Sequence, residues 1–208
     1  MTQLRAALAV MLAVAAITPP ASAAPPTSGS WLDSSSLEPW NAPGSALPFA
    51  PQGPGNPDPR CHQSARPPDS DEDRQVHARG WDLIGQATVA WQIRVIGATA
   101  DYDGMCRPRR YQYFVFRQGT FVGTLSPDLM ESRTDGALTR VTIESATRLK
   151  ADYARYAPED PLCCPSGRTT VLFSLEETPP RLTPLSAGSA AAPRPRQELP
   201  GSAPAPAR

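Results

Sequence analysis

Four cysteines, two histidines and a few loop carboxylates are the residues of this 208-residue chain that could do chemistry. Cys163 and Cys164 are adjacent, between Pro161 and Pro165, while Cys61 and Cys106 lie far upstream. Together with His62 they could offer zinc soft ligands, but the spacing matches no known zinc motif. Asp101 and Asp103-Gly104 could offer oxygens to calcium, yet a twelve-residue ligand loop ending in Glu is missing, and they read as turn formers. His77 falls on a short polar helix, and His62 neighbours a disulfide cysteine. Ser126, Ser132 and Ser166 sit in loops without a nucleophile motif. Glu159 and Asp160 are adjacent carboxylates in a loop, which does not set the separation that hydrolases need. No catalytic residue, metal ligand or cofactor site is assigned from these residues.

The start of the chain decides how the cysteines are read. Arg5, the apolar run Ala6 to Ile17 and Ala21-Ser22-Ala23 form a secretory signal peptide pattern over residues 1–23. The apolar run is shorter than the roughly 20 residues a membrane span needs, and no later run is longer. The expectation is an exported protein, periplasmic, extracellular or held in the cell envelope, with no transmembrane span in the mature chain. Four cysteines in such a chain imply two disulfides rather than a thiol site. A bond between neighbours Cys163 and Cys164 departs from disulfide geometry. The expected bridges therefore join Cys61 and Cys106 to Cys163 and Cys164, in either order.

Charge and proline place the boundaries. Twenty basic and 20 acidic residues balance, so no electrostatic footprint for nucleic acid is present. Of 26 prolines, eleven lie from Pro25 to Pro68, eight from Pro179 to Pro206 and five between these stretches. This reads as a Pro/Gly-rich arm over 24–60, a folded domain over 61–178 and a disordered tail over 179–208. The arm carries Trp31, Leu32, Trp40, Leu47 and Phe49, so it is expected to lie partly on the core as a strap.

Within the domain, Asp69 or Ser70 caps a helix that runs to about Arg79, with Asp71, Glu72 and Asp73 in its first turn and Gly80 after it. Alternation from about Leu83 through Val89, Trp91, Ile93 and Val95 predicts one half-buried strand. Tyr111–Phe116, apolar on both faces, is a central strand, and Gln118-Gly119 turns it into Thr120–Leu125. Three more strands follow, around Leu138–Ile143, Leu149–Tyr153 and Val171–Leu175. The predicted fold is α+β: a mainly antiparallel β-meander sheet, open or rolled towards a barrel, with one short N-terminal helix and disulfide staples.

Several of these stretches also resemble one family. Asp103-Gly104-Met105-Cys106-Arg107-Pro108, Gly123-Thr124-Leu125-Ser126-Pro127, Met130, Ser132-Arg133-Thr134-Asp135-Gly136-Ala137-Leu138 and Asp160-Pro161-Leu162-Cys163-Cys164-Pro165-Ser166 resemble the LppP/LprE family of bacterial exported lipoproteins. Trp40-Asn41 with Pro43-Gly44 resembles a longer variant of it. The resemblance spans roughly Trp31 to Leu175. It implies an envelope protein with a small disulfide-linked domain of undefined activity, and supplies no catalytic residue. No lipid-acceptor cysteine stands at the cleavage site, which favours a soluble form. The expectation is a non-enzymatic binding or structural module for an unknown envelope component. Trp31, Trp40, Met130, Arg133 and Asp135 are its candidate contact residues, with Arg133 and Asp135 paired to shape their loop. The alternative is a secreted thiol-redox or hydrolytic enzyme.

Overall fold

Backbone alternation and two-residue turns build most of the molecule. A computed structural model describes residues 30–34, 36–53 and 59–191. The expected signal peptide and residues 192–208 of the expected tail lie outside them. Short helices come first: a 3-10 turn at Trp31–Asp33, α1 at Pro59–His62 and α2 at Asp71–His77. Ser70 caps α2 by accepting from the Asp73 amide at 3.1 Å, three acidic residues occupy its first turn, and Gly80 follows it at φ 85°.

Eight strands follow: β1 Asp82–Ala90, β2 Ile93–Tyr102, β3 Pro108–Arg117, β4 Thr120–Thr124, β5 Leu138–Ser145, β6 Arg148–Arg155, β7 Gly167–Glu177 and β8 Pro180–Ala191. They form two four-stranded antiparallel sheets, ordered β1-β2-β3-β4 and β5-β6-β7-β8. The meander is therefore split in two, and both sheets are open rather than closed into a barrel. The fold is mainly β, with few helices.

The sheets share one core. Ile93, Val95, Tyr111 and Val115 of the first sheet cluster with Leu149, Ala151, Tyr153, Val171 and Phe173 of the second. The opposite side chains of β2 and β3 build another core: Ile96, Ala98, Phe114 and Phe116 pack with Val76 of α2, Trp81, and Leu47 and Ala50 of the arm. Thus β3 is buried on both faces, as its sequence predicts.

The structure corrects three expectations. The strand predicted through Leu83–Val95 is a hairpin, with Trp91 (φ 51°) and Gln92 (φ 60°) forming its turn. A two-residue turn flips the parity, so Val89 and Trp91 are exposed while Ile93 and Val95 are buried. The tail predicted to begin at 179 is a strand as far as Ala191, paired along β7. β8 is an outer strand, where proline is tolerated. Pro180 is its first residue, and Pro184 flanks a register shift opposite Leu172 and Phe173.

The third correction concerns the disulfides. Cys61 bonds Cys106, with their Cα atoms 4.8 Å apart, and Cys163 bonds Cys164. α1 sits against the turn between β2 and β3, where Cys61 Sγ also lies 4.0 Å from the Asp103 carbonyl. The Cys163-Cys164 loop instead joins β6 to β7 in the other sheet. The expected staple from this loop to Cys61 and Cys106 is therefore not formed.

Candidate functional site

The arm reaches the core through two polar side chains. Asn41 is buried; its amide nitrogen donates to the carbonyls of Thr124 at 3.0 Å and Leu182 at 3.1 Å, and its oxygen accepts from the Thr124 amide at 2.8 Å. The Trp40 indole donates to the same Thr124 carbonyl at 3.1 Å. Gly123, at φ 148°, makes this approach possible, since a Cβ there would come 2.4 Å from Asn41 Cγ. The arm thereby bridges the ends of β4 and β8, one from each sheet.

Trp31 and Trp40 then meet edge to face at 5.1 Å. Trp31 also contacts Tyr153 at 5.2 Å and Trp40 contacts Phe173 at 5.9 Å, which suits the quadrupoles of the rings. Tyr153 is fully buried and its hydroxyl donates to the Leu125 carbonyl. Burial pushes that phenol well above its ordinary value, so it is a permanent donor. Both tryptophans remain partly exposed on their outer sides.

Arg155, at the end of β6, fixes the start of the arm. Its guanidinium donates to Asp33, to Asp135 at 2.9 Å and to Thr169 Oγ1 at 3.2 Å. Asp135 also accepts from the Tyr156 amide at 2.9 Å. The bond from Arg155 lowers the Asp33 carboxyl below its ordinary range. One cation therefore joins the 3-10 turn to the loop between β4 and β5.

Two concavities result. A groove of about 310 Å³ is lined by Trp31, Leu37, Pro39, Trp40 and Pro127. A cavity of about 390 Å³ lies between the arm and the β4–β5 loop, lined by Trp31, Ser126, Leu129, Met130, Glu131 and Gly136 among others. Trp31 belongs to both, so the two adjoin at its ring. Glu38 lines the groove and Asp128 the cavity.

The five candidate contact residues are thus treated unevenly. Trp31 and Trp40 line the groove, and Trp31, Met130 and Asp135 line the cavity. Met130 is 95% buried, with 5% exposure, and its backbone pairs with Tyr111. Arg133 lines neither concavity. It is exposed at φ 61°, and the expected Arg133–Asp135 contact is replaced by Arg155–Asp135. Sequence reading missed Leu37, Pro39, Pro127 and Arg155. Pro39 beside Trp40 and Pro127 after Ser126 were available as signals of exposed apolar rings; Arg155 had none.

The residues weighed for catalysis are dispersed. His62 Nδ1 bonds Asp82 Oδ2 at 2.6 Å and its ring stacks edge-on against Tyr102 at 5.5 Å. Burial and the Asp82 charge push the Tyr102 phenol up to about 12. Asp160 accepts from the amides of Ala157 and Ser166, each at 2.8 Å, and these bonds lower its carboxyl. It organises the cysteine loop and is not the partner of His62. Asp103 likewise organises a turn, accepting from the amides of Met105 at 2.8 Å and Arg107 at 2.9 Å. Among the described residues, no group of three or more His, Cys, Asp or Glu side chains is placed to hold a metal ion.

The cysteine loop, the Asp103–Cys106 turn and the Gly123–Asn41 approach all fall where the family resemblance was read. Residues 86–178 match the LppP/LprE lipoprotein family. That segment runs from β1 to the turn before β8, so the LppP/LprE match includes the β4–β5 loop and the Cys163-Cys164 loop but leaves the arm, α2 and β8 outside it. Neither the curated proteins nor the solved structures gave a match to this chain. Among the described residues, no helix is long and apolar enough to cross a membrane.

Proposed function

We propose that this protein is a non-enzymatic envelope module that binds an extended apolar peptide segment carrying a basic residue. The match to a lipoprotein family supports an exported, envelope-associated protein. The observation that carries the binding reading is the groove of Trp31, Leu37, Pro39, Trp40 and Pro127. Exposed aromatic and proline rings side by side are what proline-rich, extended ligands dock against, because such ligands lose little entropy on binding. Large exposed apolar surfaces are unusual without a partner. The charge of the partner follows from the rim. Glu38 and Asp128 have no ion-pair partner among the described residues, whereas most other carboxylates around the site are paired.

The test is a fluorescence titration of the oxidised full chain with a proline-rich peptide containing arginine, and with the same peptide carrying glutamate instead. The arginine peptide should shift the tryptophan emission saturably and bind at least tenfold tighter than the glutamate peptide. Leu37→Asp, at a half-buried position on the groove, should abolish the shift while circular dichroism stays unchanged. Equal binding of both peptides, an undiminished response in Leu37→Asp, or cleavage of the peptide would overturn the reading.

A further inference from the structure

The outer face of the second sheet carries an arrangement that the groove does not use. Along β6, Leu149, Ala151 and Tyr153 turn into the core, so Arg148, Lys150 and Asp152 lie on the other face. β5 adds Arg140 and Thr142 there, and β7 adds Arg168 and Thr170. Six of these residues, Arg140, Thr142, Lys150, Asp152, Arg168 and Thr170, line a concavity of about 380 Å³. β8 leaves it uncovered. Ala190 stands opposite Arg168, and Gly188 opposite Thr170, and neither reaches across.

Arginines without a carboxylate partner cluster on this face. Arg66, Arg107, Arg110, Arg117, Arg155 and Arg181 each hold a carboxylate. Arg140, Arg148 and Arg168 hold none among the described residues and share this one face, whereas Arg79, over the Phe49 ring, and Arg133, on the β4–β5 loop, stand singly elsewhere without one. Arg168 Nε is buried without a hydrogen-bond partner, which is costly for a cationic group. Arg140 stands directly opposite Asp152 in the ladder, yet Asp152 is engaged by the Thr170 hydroxyl at 2.5 Å. Lys150 pairs with Glu144 at 3.0 Å. The site therefore combines two guanidinium groups that lack an anion with one carboxylate that keeps acceptor capacity.

A simple anion would satisfy the guanidinium groups but would face Asp152. A neutral sugar would satisfy Asp152 and leave the arginines unmet. We propose that this face binds an anionic sugar: a hydroxylated ring bearing a phosphate or carboxylate. Arg140 and Arg168 take the oxyanion through charge-assisted bonds, and a ring hydroxyl donates to Asp152. The concavity shares no lining residue with the tryptophan groove, so the two sites stand or fall separately.

The test is an amide chemical-shift titration of the full chain with glucose 1-phosphate, glucuronate, glucose and inorganic phosphate. At least one anionic sugar should shift β5–β7 resonances saturably and bind at least tenfold tighter than glucose or inorganic phosphate. The tighter of the two names the source of the oxyanion, and either supports the proposal. Arg140→Ala, at an exposed position, should weaken binding tenfold or more without changing Tm. Arg168→Lys serves as a second variant that keeps the charge, and should weaken binding by losing the planar fork. Asp152→Asn should weaken the sugar but not inorganic phosphate. No saturable shift, phosphate binding as tightly as the sugar, or undiminished binding in Arg140→Ala would overturn the proposal.

Discussion

Asp73 shows how one side chain can have two roles, of which only one is legible from spacing. Its position in the first turn of α2 is what a helix N-terminus favours, and the sequence shows this. Its burial is not legible, because it depends on Arg66. The guanidinium of Arg66 donates to both carboxylate oxygens at 2.6 Å, while the Asp73 side chain is fully buried and that of Arg66 is 12% exposed. Burial alone would raise the Asp73 carboxyl. The bonds from Arg66 and from the Asp69 amide outweigh it and hold the group well below the usual carboxylate range. The folded-state pKa is thus depressed. The stability it brings is fully present above the unfolded value of about 3.9 and is lost as pH falls from there through the folded value. Asp73→Asn leaves Arg66 without its anion and should cost about 3–5 kcal/mol. Urea denaturation at pH 7 reads the cost, and the variant should lose less of its stability below pH 4 than the parent does. A cost under about 1 kcal/mol would mean that the pair is dispensable.

Among the elements, β8 and the β1–β2 turn mark where pattern reading stopped. Five of the eight strands, β3 to β7, were legible because each alternates apolar and polar side chains or is apolar throughout, while β1 and β2 were read as one strand. β8 is different: Leu182 and Pro184 are its buried side chains, and Ser186, Ala187, Gly188, Ser189 and Ala190 give no alternation to read. Its place is set by the exposed edge of β7, a tertiary cause. The β1–β2 turn has neither glycine nor asparagine at its left-handed positions, so no turn signal interrupts the alternation from Val89 to Val95. If β8 is an integral strand, Leu182 is a core residue. Its exposure is 0%, and Leu182→Ala should destabilise the chain by about 2–5 kcal/mol, measured by thermal or urea unfolding. A loss below 1 kcal/mol would place Leu182 outside the cooperative core.

For the whole molecule, every ladder among the described residues joins strands that are neighbours in sequence, so a meander was legible. Its division into two sheets was not, since alternation says which face of a strand is buried but not which sheet will cover it. The same holds for the site. Trp31 and Trp40 stood out as aromatic residues in a proline-rich arm, whereas their shared groove needs Pro127 from a loop far along the chain. The cysteines were correctly assigned to bridges and wrongly partnered, because partnering depends on the separation of the two sheets. The mode of arm attachment carries a consequence for the order of folding. Hairpins between sequence neighbours close quickly. Asn41, by contrast, joins carbonyls 83 and 141 residues away, and those carbonyls are in place only after both meanders have formed. The arm should therefore be absent from the rate-limiting step and act as a late latch. Asn41→Ala should raise the unfolding rate about tenfold while leaving the refolding rate within about twofold, the signature of a contact made after the barrier. Stopped-flow traces of the oxidised protein would show this, and an equal slowing of refolding would place the arm in the nucleus instead. On this view the tryptophan groove is the last part of the molecule to form and the first to open.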